Sequence, residues 1–162
     1  MSVVAQALDQ QVAVQMRLAT EDDLPGVLRL YAQPELDGER VISLEGATAI
    51  FRCMQDYPSY SLIAAEADGK IVGTYTLLMA QNIAHGGAFS AVVESAAVDP
   101  DMQGHGIGRA MMADAIARAR TQGCYKLALS SNARRKRAHE FYEQLGFVQH
   151  GLSFVVDPGA DR

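Results

Sequence analysis

The sequence predicts an α/β domain on a mixed, mostly antiparallel sheet with about four helices, and three observations carry that reading. An apolar run over 88–98 breaks at Asp99-Pro100 into a loop with Gly104, Gly106 and Gly108, which opens an alanine- and methionine-rich helix. Two apolar runs meet at Asp68-Gly69, a strong signal for an antiparallel hairpin. A helix that links strand 88–98 to a strand near 125–130 is a crossover between parallel neighbours, so the sheet is mixed.

Taken in order, residues 1–13 lack punctuation and read as a flexible lead-in or short added helix, leaving 14–162 as one domain. Val14–Leu18 reads as the first strand. Thr20, followed by Glu21, Asp22 and Asp23, caps a helix running to about Gln33, with Leu24, Val27, Leu28 and Tyr31 along one stripe. Pro34–Gly38 breaks it, and a second helix covers Leu44–Tyr57 before Pro58. The hairpin strands span 60–67 and 71–81, and Asn82–Gly87 makes either a loop able to bend over a ligand or an ordinary turn. The central helix, Gly106 to about Gln122, lines up Met111, Met112, Ala115, Ile116 and Ala119, for which packing is a sufficient reason. The last helix, 135–145, sets Ala138, Phe141, Tyr142 and Leu145 inward and stops at Gly146; short strands near 147–150 and 153–156 are expected to complete the sheet.

Composition narrows the function. With 162 residues, 49% apolar and 20% charged, the chain can bury a core without staples. A net charge of −5 and a pI near 5.3 speak against a nucleic-acid or anionic-membrane surface, while a polyanionic ligand needs only a local positive patch. Cys53 and Cys124 have no zinc or disulfide spacing and read as free thiols in a reducing cytoplasm; His85, His105, His139 and His150 are scattered, so no metal is expected. No apolar run approaches the ~18 residues of a membrane span, and the N-terminus lacks a basic segment followed by an apolar one.

The loop itself carries chemistry. Glycines between a strand and a helix let several N–H groups face outward, and the positive end of the helix favours an anion, with phosphate as the natural occupant. Arg109-Ala110 follows Gly108 where a nucleoside-triphosphate loop needs Lys-Ser or Lys-Thr, and several strands precede the motif, against a dinucleotide fold. Val98-Asp99-Pro100 with Gln103-Gly104-His105-Gly106-Ile107-Gly108 resembles the acetyl-CoA signature Q/R-x-x-G-x-G/A of the GNAT superfamily of N-acetyltransferases. Ala138–Phe147 is similar to that family's closing pattern A-x-x-F-Y-x-x-L-G-F, so the resemblance covers about residues 14–157.

The resemblance implies the acyl-CoA N-acyltransferase fold, with a splayed central parallel pair, and acetyl-CoA as cosubstrate. It implies that Gln103, Gly104, His105, Gly106, Ile107, Gly108 and Arg109 hold the pyrophosphate and that the main chain at Ala96, Ala97 and Val98 holds the pantetheine arm. The Val98 N–H would face the carbonyl oxygen as it becomes anionic. Glu94 interrupts its apolar strand on the face that simple alternation gives to Val92, Ala96 and Val98; from the residues alone it also suits a surface position. As relatives acting on small amines often place an acid there, the resemblance implies a base, with burial expected to raise its pKa. Tyr142, which periodicity alone would assign to core packing, is by resemblance the acid toward the coenzyme A thiolate. Many relatives carry a coenzyme-contacting asparagine seven residues before this tyrosine; here that position is Arg135, and Asn132 lies three residues earlier, so either is a candidate for the contact. The basic run 134–137 opens a helix with the wrong sign for its dipole, which an anionic ligand such as a coenzyme phosphate or a phosphorylated acceptor would relieve. The expected acceptor is a small primary amine such as an amino sugar, polyamine or aminoalkyl compound. A protein acetyltransferase and a non-catalytic coenzyme A sensor are the alternatives, and a homodimer is a family-level expectation.

Overall fold

The computed structural model describes residues 12–159, which divide between Leu129 and Ser130 into two compact units. All but the last residues of the expected lead-in lie outside the described residues. In the first unit the chain forms β1 (Gln15–Leu18), α1 (Leu24–Tyr31), α2 (Leu44–Gln55), β2 (Tyr60–Ala67), β3 (Lys70–Gln81), β4 (Phe89–Val98), α3 (Ile107–Thr121) and β5 (Cys124–Leu129). The strands lie in the order β1-β2-β3-β4-β5, antiparallel except for the parallel pair β4–β5.

Local chemistry accounts for most element ends. At the hairpin between β2 and β3, Asp68 (φ 49°) and Gly69 (φ 74°) are both left-handed, as a two-residue turn matched to sheet twist requires. The Ser43 hydroxyl accepts from the Gly46 N–H (3.1 Å) and caps α2. The Asp23 carboxylate accepts from the Thr20 N–H (2.7 Å) and takes both terminal nitrogens of Arg17 (2.6 and 2.8 Å), fastening the turn before α1 to β1. Helix α1 stops two residues short of the expected Gln33, and Leu30, outside the expected stripe, is its most buried residue.

Strand register separates the sheet's faces, because directly opposed residues share a face. Leu62, Ala64 and Ala97 lie on the side covered by Leu24, Val27 and Leu30 of α1 and Ala47 and Phe51 of α2. Ile63, Ala65, Gly73, Tyr75 and Leu77 lie on the other side, where Gly73 lets Ile107 and Met111 of α3 come close. There the Tyr75 hydroxyl donates to Asp114 (2.6 Å), which also accepts from Arg118 Nε (2.6 Å), a polar latch between β3 and α3. Met111, Met112, Ala115 and Ala119 are buried, as the helical spacing predicts.

The second unit contains α4 (Lys136–Gln144), which ends at left-handed Gly146 (φ 89°). Its Ala138, Phe141, Tyr142 and Leu145 are half-buried rather than fully inward. The strands expected over 147–150 and 153–156 do not form: Val148, Leu152, Phe154, Val155 and Val156 are exposed, and no backbone ladder engages them among the described residues. Alternation marks a segment that can pair, but it does not itself supply the hydrogen bonds of a ladder.

Candidate active site

Two departures from regular pairing shape β4. Thr76 opposes Glu94 and Thr74 opposes Ala97, so Ser95 and Ala96 together face Tyr75: a β-bulge, with Ser95 left-handed at φ 51°. Pairing with β5 ends at Val93–Leu129, so 94–98 run on past the parallel partner. The Asp99 N–H donates to the Val72 carbonyl (2.8 Å), which makes Gly73–Val98 a non-hydrogen-bonded pair and turns the polar groups of Val98, and of Ala96 two residues back, toward the β5 side. There Gln33 Nε2 donates to the Val98 carbonyl (3.0 Å) and to Leu30 O (2.8 Å), tying the end of α1 to the strand edge. Residues 94–98 therefore extend beyond the parallel partner expected from the resemblance, with the Val98 N–H on that unpaired edge.

The bulge corrects the placement of Glu94. One extra residue reverses alternation, so Glu94 keeps the face of Val92, Thr76 and Ala97, while Ala96 and Val98 lie on the α3 side. Its side chain is exposed, not buried as expected. The Thr76 hydroxyl donates to the Glu94 carbonyl (3.0 Å), fixing the peptide next to the bulge.

Beyond Val98 the chain is clamped before it reaches the glycines. Asp99 accepts from the Asp101 N–H (3.1 Å), opening the short turn Pro100–Met102. Arg29 donates from one terminal nitrogen to Asp99 (2.7 Å) and from the other to the Ile71 carbonyl (2.7 Å), and it holds the Asp99 carboxyl below the usual carboxylate range. Gly104 (φ 82°) and Gly106 (φ 83°) then take left-handed conformations; a Cβ on Gly104 would meet nothing within 4 Å, so backbone freedom and not space selects glycine there. Ile107, 1% exposed, anchors the start of α3, whose first-turn N–H groups at Ile107, Gly108 and Arg109 precede the first internal helical bond, Ala110 N–H to Gly106 O (3.0 Å). Gln103, His105 and Arg109 are exposed around this turn. Open backbone donors at the head of a 15-residue helix, with a cation beside them, fit a pyrophosphate.

Asn132, Arg135 and Tyr142 belong to the second unit. The Asn132 side-chain oxygen accepts from the Arg134 N–H (3.0 Å), and its carbonyl meets the Arg135 N–H (2.9 Å) and His139 Nε2 (3.0 Å), so Asn132 organises the turn into α4. Arg135 occupies the N-cap position of that helix without a side-chain capping bond. The Tyr142 ring makes edge contacts with Phe141 (5.2 Å) and Phe147 (5.8 Å). Burial pushes the Tyr142 hydroxyl above its usual pKa, partly offset by the charge of Arg135.

Sequence reasoning missed Gln33, Arg29 and Thr76. Each contributes an ordinary-looking polar side chain whose partner is fixed only by folding, and no local spacing marks it. Among the described residues there is no cluster able to hold a metal ion, and no helix is long and apolar enough to cross a membrane.

Comparison with known proteins agrees with this geometry. A family model described as the acetyltransferase (GNAT) family matches residues 34–147. The chain is 35% identical over 89 residues to glucosamine 6-phosphate N-acetyltransferase of Trypanosoma brucei brucei, covering 55% of this chain and 58% of that one. It is 32% identical over 124 residues to aminoglycoside N(6')-acetyltransferase type 1 of Stenotrophomonas maltophilia, covering 75% and 76%. A crystal structure of a Trypanosoma brucei acetyltransferase superposes with a TM-score of 0.77 at 28% identity, over 90% of this chain and 99% of that one. The glycine turn at the head of α3 and the matched family model lead to one conclusion: the chain, whose match spans 58% of the trypanosomal relative's length, belongs to the GNAT acetyltransferase family.

Proposed function

We propose that this enzyme acetylates the primary amine of a small molecule by direct attack, with residues 14–162 working as one catalytic domain. The observation that supports this most is the unpaired end of β4, followed in the chain by the donor-rich start of α3, together with relatives named for small-molecule acceptors. Bound acetyl-CoA supplies the thioester carbonyl. In this reading the N–H groups over 103–109 and the Arg109 side chain take the pyrophosphate, with Asn132 and Arg135 as further candidates for coenzyme contact. The main chain at Ala96, Ala97 and Val98 lines the pantetheine arm, and the Val98 N–H donates to the carbonyl oxygen as charge develops on it. Glu94 accepts the proton of the substrate ammonium, freeing the nitrogen lone pair to form the C–N bond. As the C–S bond breaks, Tyr142 donates its hydroxyl proton or a strong hydrogen bond to the thiolate; its raised pKa keeps it in the donating form at neutral pH. Free thiols at Cys53 and Cys124 suit a reducing compartment, and we propose a cytoplasmic enzyme.

The test is thiol release from acetyl-CoA against a panel of small amines, with Tyr142→Phe and Glu94→Gln alongside the parent. Tyr142→Phe is expected to lower kcat about 100-fold or more while acetyl-CoA affinity stays within a few-fold. An unchanged kcat removes Tyr142 from the mechanism. Glu94→Gln is expected to depress activity chiefly near neutral pH; a pH–rate profile identical to the parent's counts against it as the base.

A further inference from the structure

The face of the sheet that carries Glu94 is not covered along its whole length. Helices α1 and α2 cover the part that includes Ala64, Leu62 and Ala97, and one step along is the row Leu62–Thr76–Glu94. The next row, Tyr60–Leu78–Val92, borders a cleft of about 400 Å³. Its walls are Tyr57, Pro58, Ser59 and Tyr60 from the end of α2 into β2, and Leu78, Met79 and Ala80 from β3. No charged side chain lines it, and Tyr57 and Leu78 are 64% and 41% exposed, so apolar surface stands open to solvent. Leu78 lies diagonally across the ladder from Glu94, a spacing of about 7–8 Å between same-face neighbours. An exposed carboxylate on the same face, one row from an uncharged, aromatic-walled cleft, is complementary to a molecule with an ammonium group at one end and an apolar body at the other.

We propose that this cleft binds the body of the acceptor, so that the preferred substrates are primary amines carrying an aromatic, alicyclic or branched alkyl group and no second charge. The inference rests on the transferase reading above and narrows it. A phosphorylated or polycationic amine would bring a second charged group into a cleft that holds no countercharge, and would lose that group's hydration on entry.

The test compares kcat/KM for 2-phenylethylamine and isoamylamine with that for glucosamine 6-phosphate and 2-aminoethylphosphonate, in the parent and in Leu78→Asp. Leu78 is exposed enough for the variant to fold, and Tyr57→Ala, with thermal melting of both, guards against a folding defect. The parent is expected to favour the apolar amines at least about 10-fold, and Leu78→Asp to lose at least about 10-fold on them alone, with KM for acetyl-CoA unchanged. A parent that favours the phosphorylated amines, or a variant that leaves the ratio unchanged, overturns the proposal while leaving the transferase intact. A parent that is dimeric and becomes monomeric in Leu78→Asp assigns the face to a second copy and also overturns it. Acetyl-CoA binding without turnover of any amine overturns the transferase reading on which it rests.

Discussion

Replacing Gly73 with alanine should separate the role of close approach from that of backbone freedom. Gly73 sits in β3 under the first turn of α3, and a Cβ there would come 2.7 Å from Met111 Sδ, 3.1 Å from Ile107 Cγ2 and 3.2 Å from Ala65 Cβ. Comfortable carbon contacts lie at about 3.5–4.0 Å, so the new methyl group overlaps three neighbours at once. Met111 is flexible, but it and Ile107 are both 1% exposed, and Ala65 is fixed in the sheet, so relief comes from moving α3. Overpacking of this kind costs about 1–3 kcal/mol, against about 0.5–1 kcal/mol gained by removing glycine from a strand. The net loss, about 1 kcal/mol at the middle of those ranges, corresponds to a fall in Tm of about 2–4 °C for a chain of this size. Because Ile107 begins the helix whose first N–H groups are proposed to take the pyrophosphate, the stabilisation by acetyl-CoA in a thermal melt should shrink as well. Met111→Ala made on the Gly73→Ala background should destabilise less than on the parent, by about 1 kcal/mol of coupling. A Tm within about 1 °C of the parent, or strict additivity with Met111→Ala, refutes the steric account.

The clamp on the turn ahead of the glycines gives a second expectation: Arg29→Ala, which removes the bonds to Asp99 and Ile71 O, should raise KM for acetyl-CoA about 5–10-fold, and an unaltered KM argues that the turn holds itself. Arg29→Lys should recover only part of that, since an ammonium cannot span both partners in the same fork geometry. Acid stability follows from Asp23, whose bonds to Arg17, aided by Thr20, hold its pKa down at about 2. A depressed folded-state value means that the carboxylate stabilises the fold fully above its ordinary range near pH 4, with that contribution lost as pH falls through about 2. The urea midpoint should therefore fall between about pH 4 and about pH 2, and Arg17→Met should flatten that fall; a midpoint that does not change over the window contradicts the assignment.

Legibility in the sequence followed the range of the interaction. The hairpin at Asp68-Gly69 and the boundaries of β2, β3 and α3 were readable because left-handed turn residues and apolar periodicity act within a few residues. The glycine turn was readable for the same reason, and with Val98-Asp99-Pro100 and the Phe141-Tyr142 motif it was enough to identify the family. Long-range pairing was not. Nothing in Glu94-Ser95-Ala96 announces a left-handed serine, yet that one residue turns Ala96 and Val98 to the face opposite Glu94. Gln33 and Arg29 reach Val98 and Asp99 across 65 and 70 residues, and side chains that meet at such separations leave no local spacing to read. The apolar segments after Phe147 carry a strand-like pattern but acquire no ladder, since pattern sets which face could be buried and only a neighbouring edge supplies the hydrogen bonds. The sequence by itself determined the local elements, the glycine turn and the family; the tertiary structure decided the face and surroundings of each candidate site residue, because those depend on register and on contacts between distant parts of the chain.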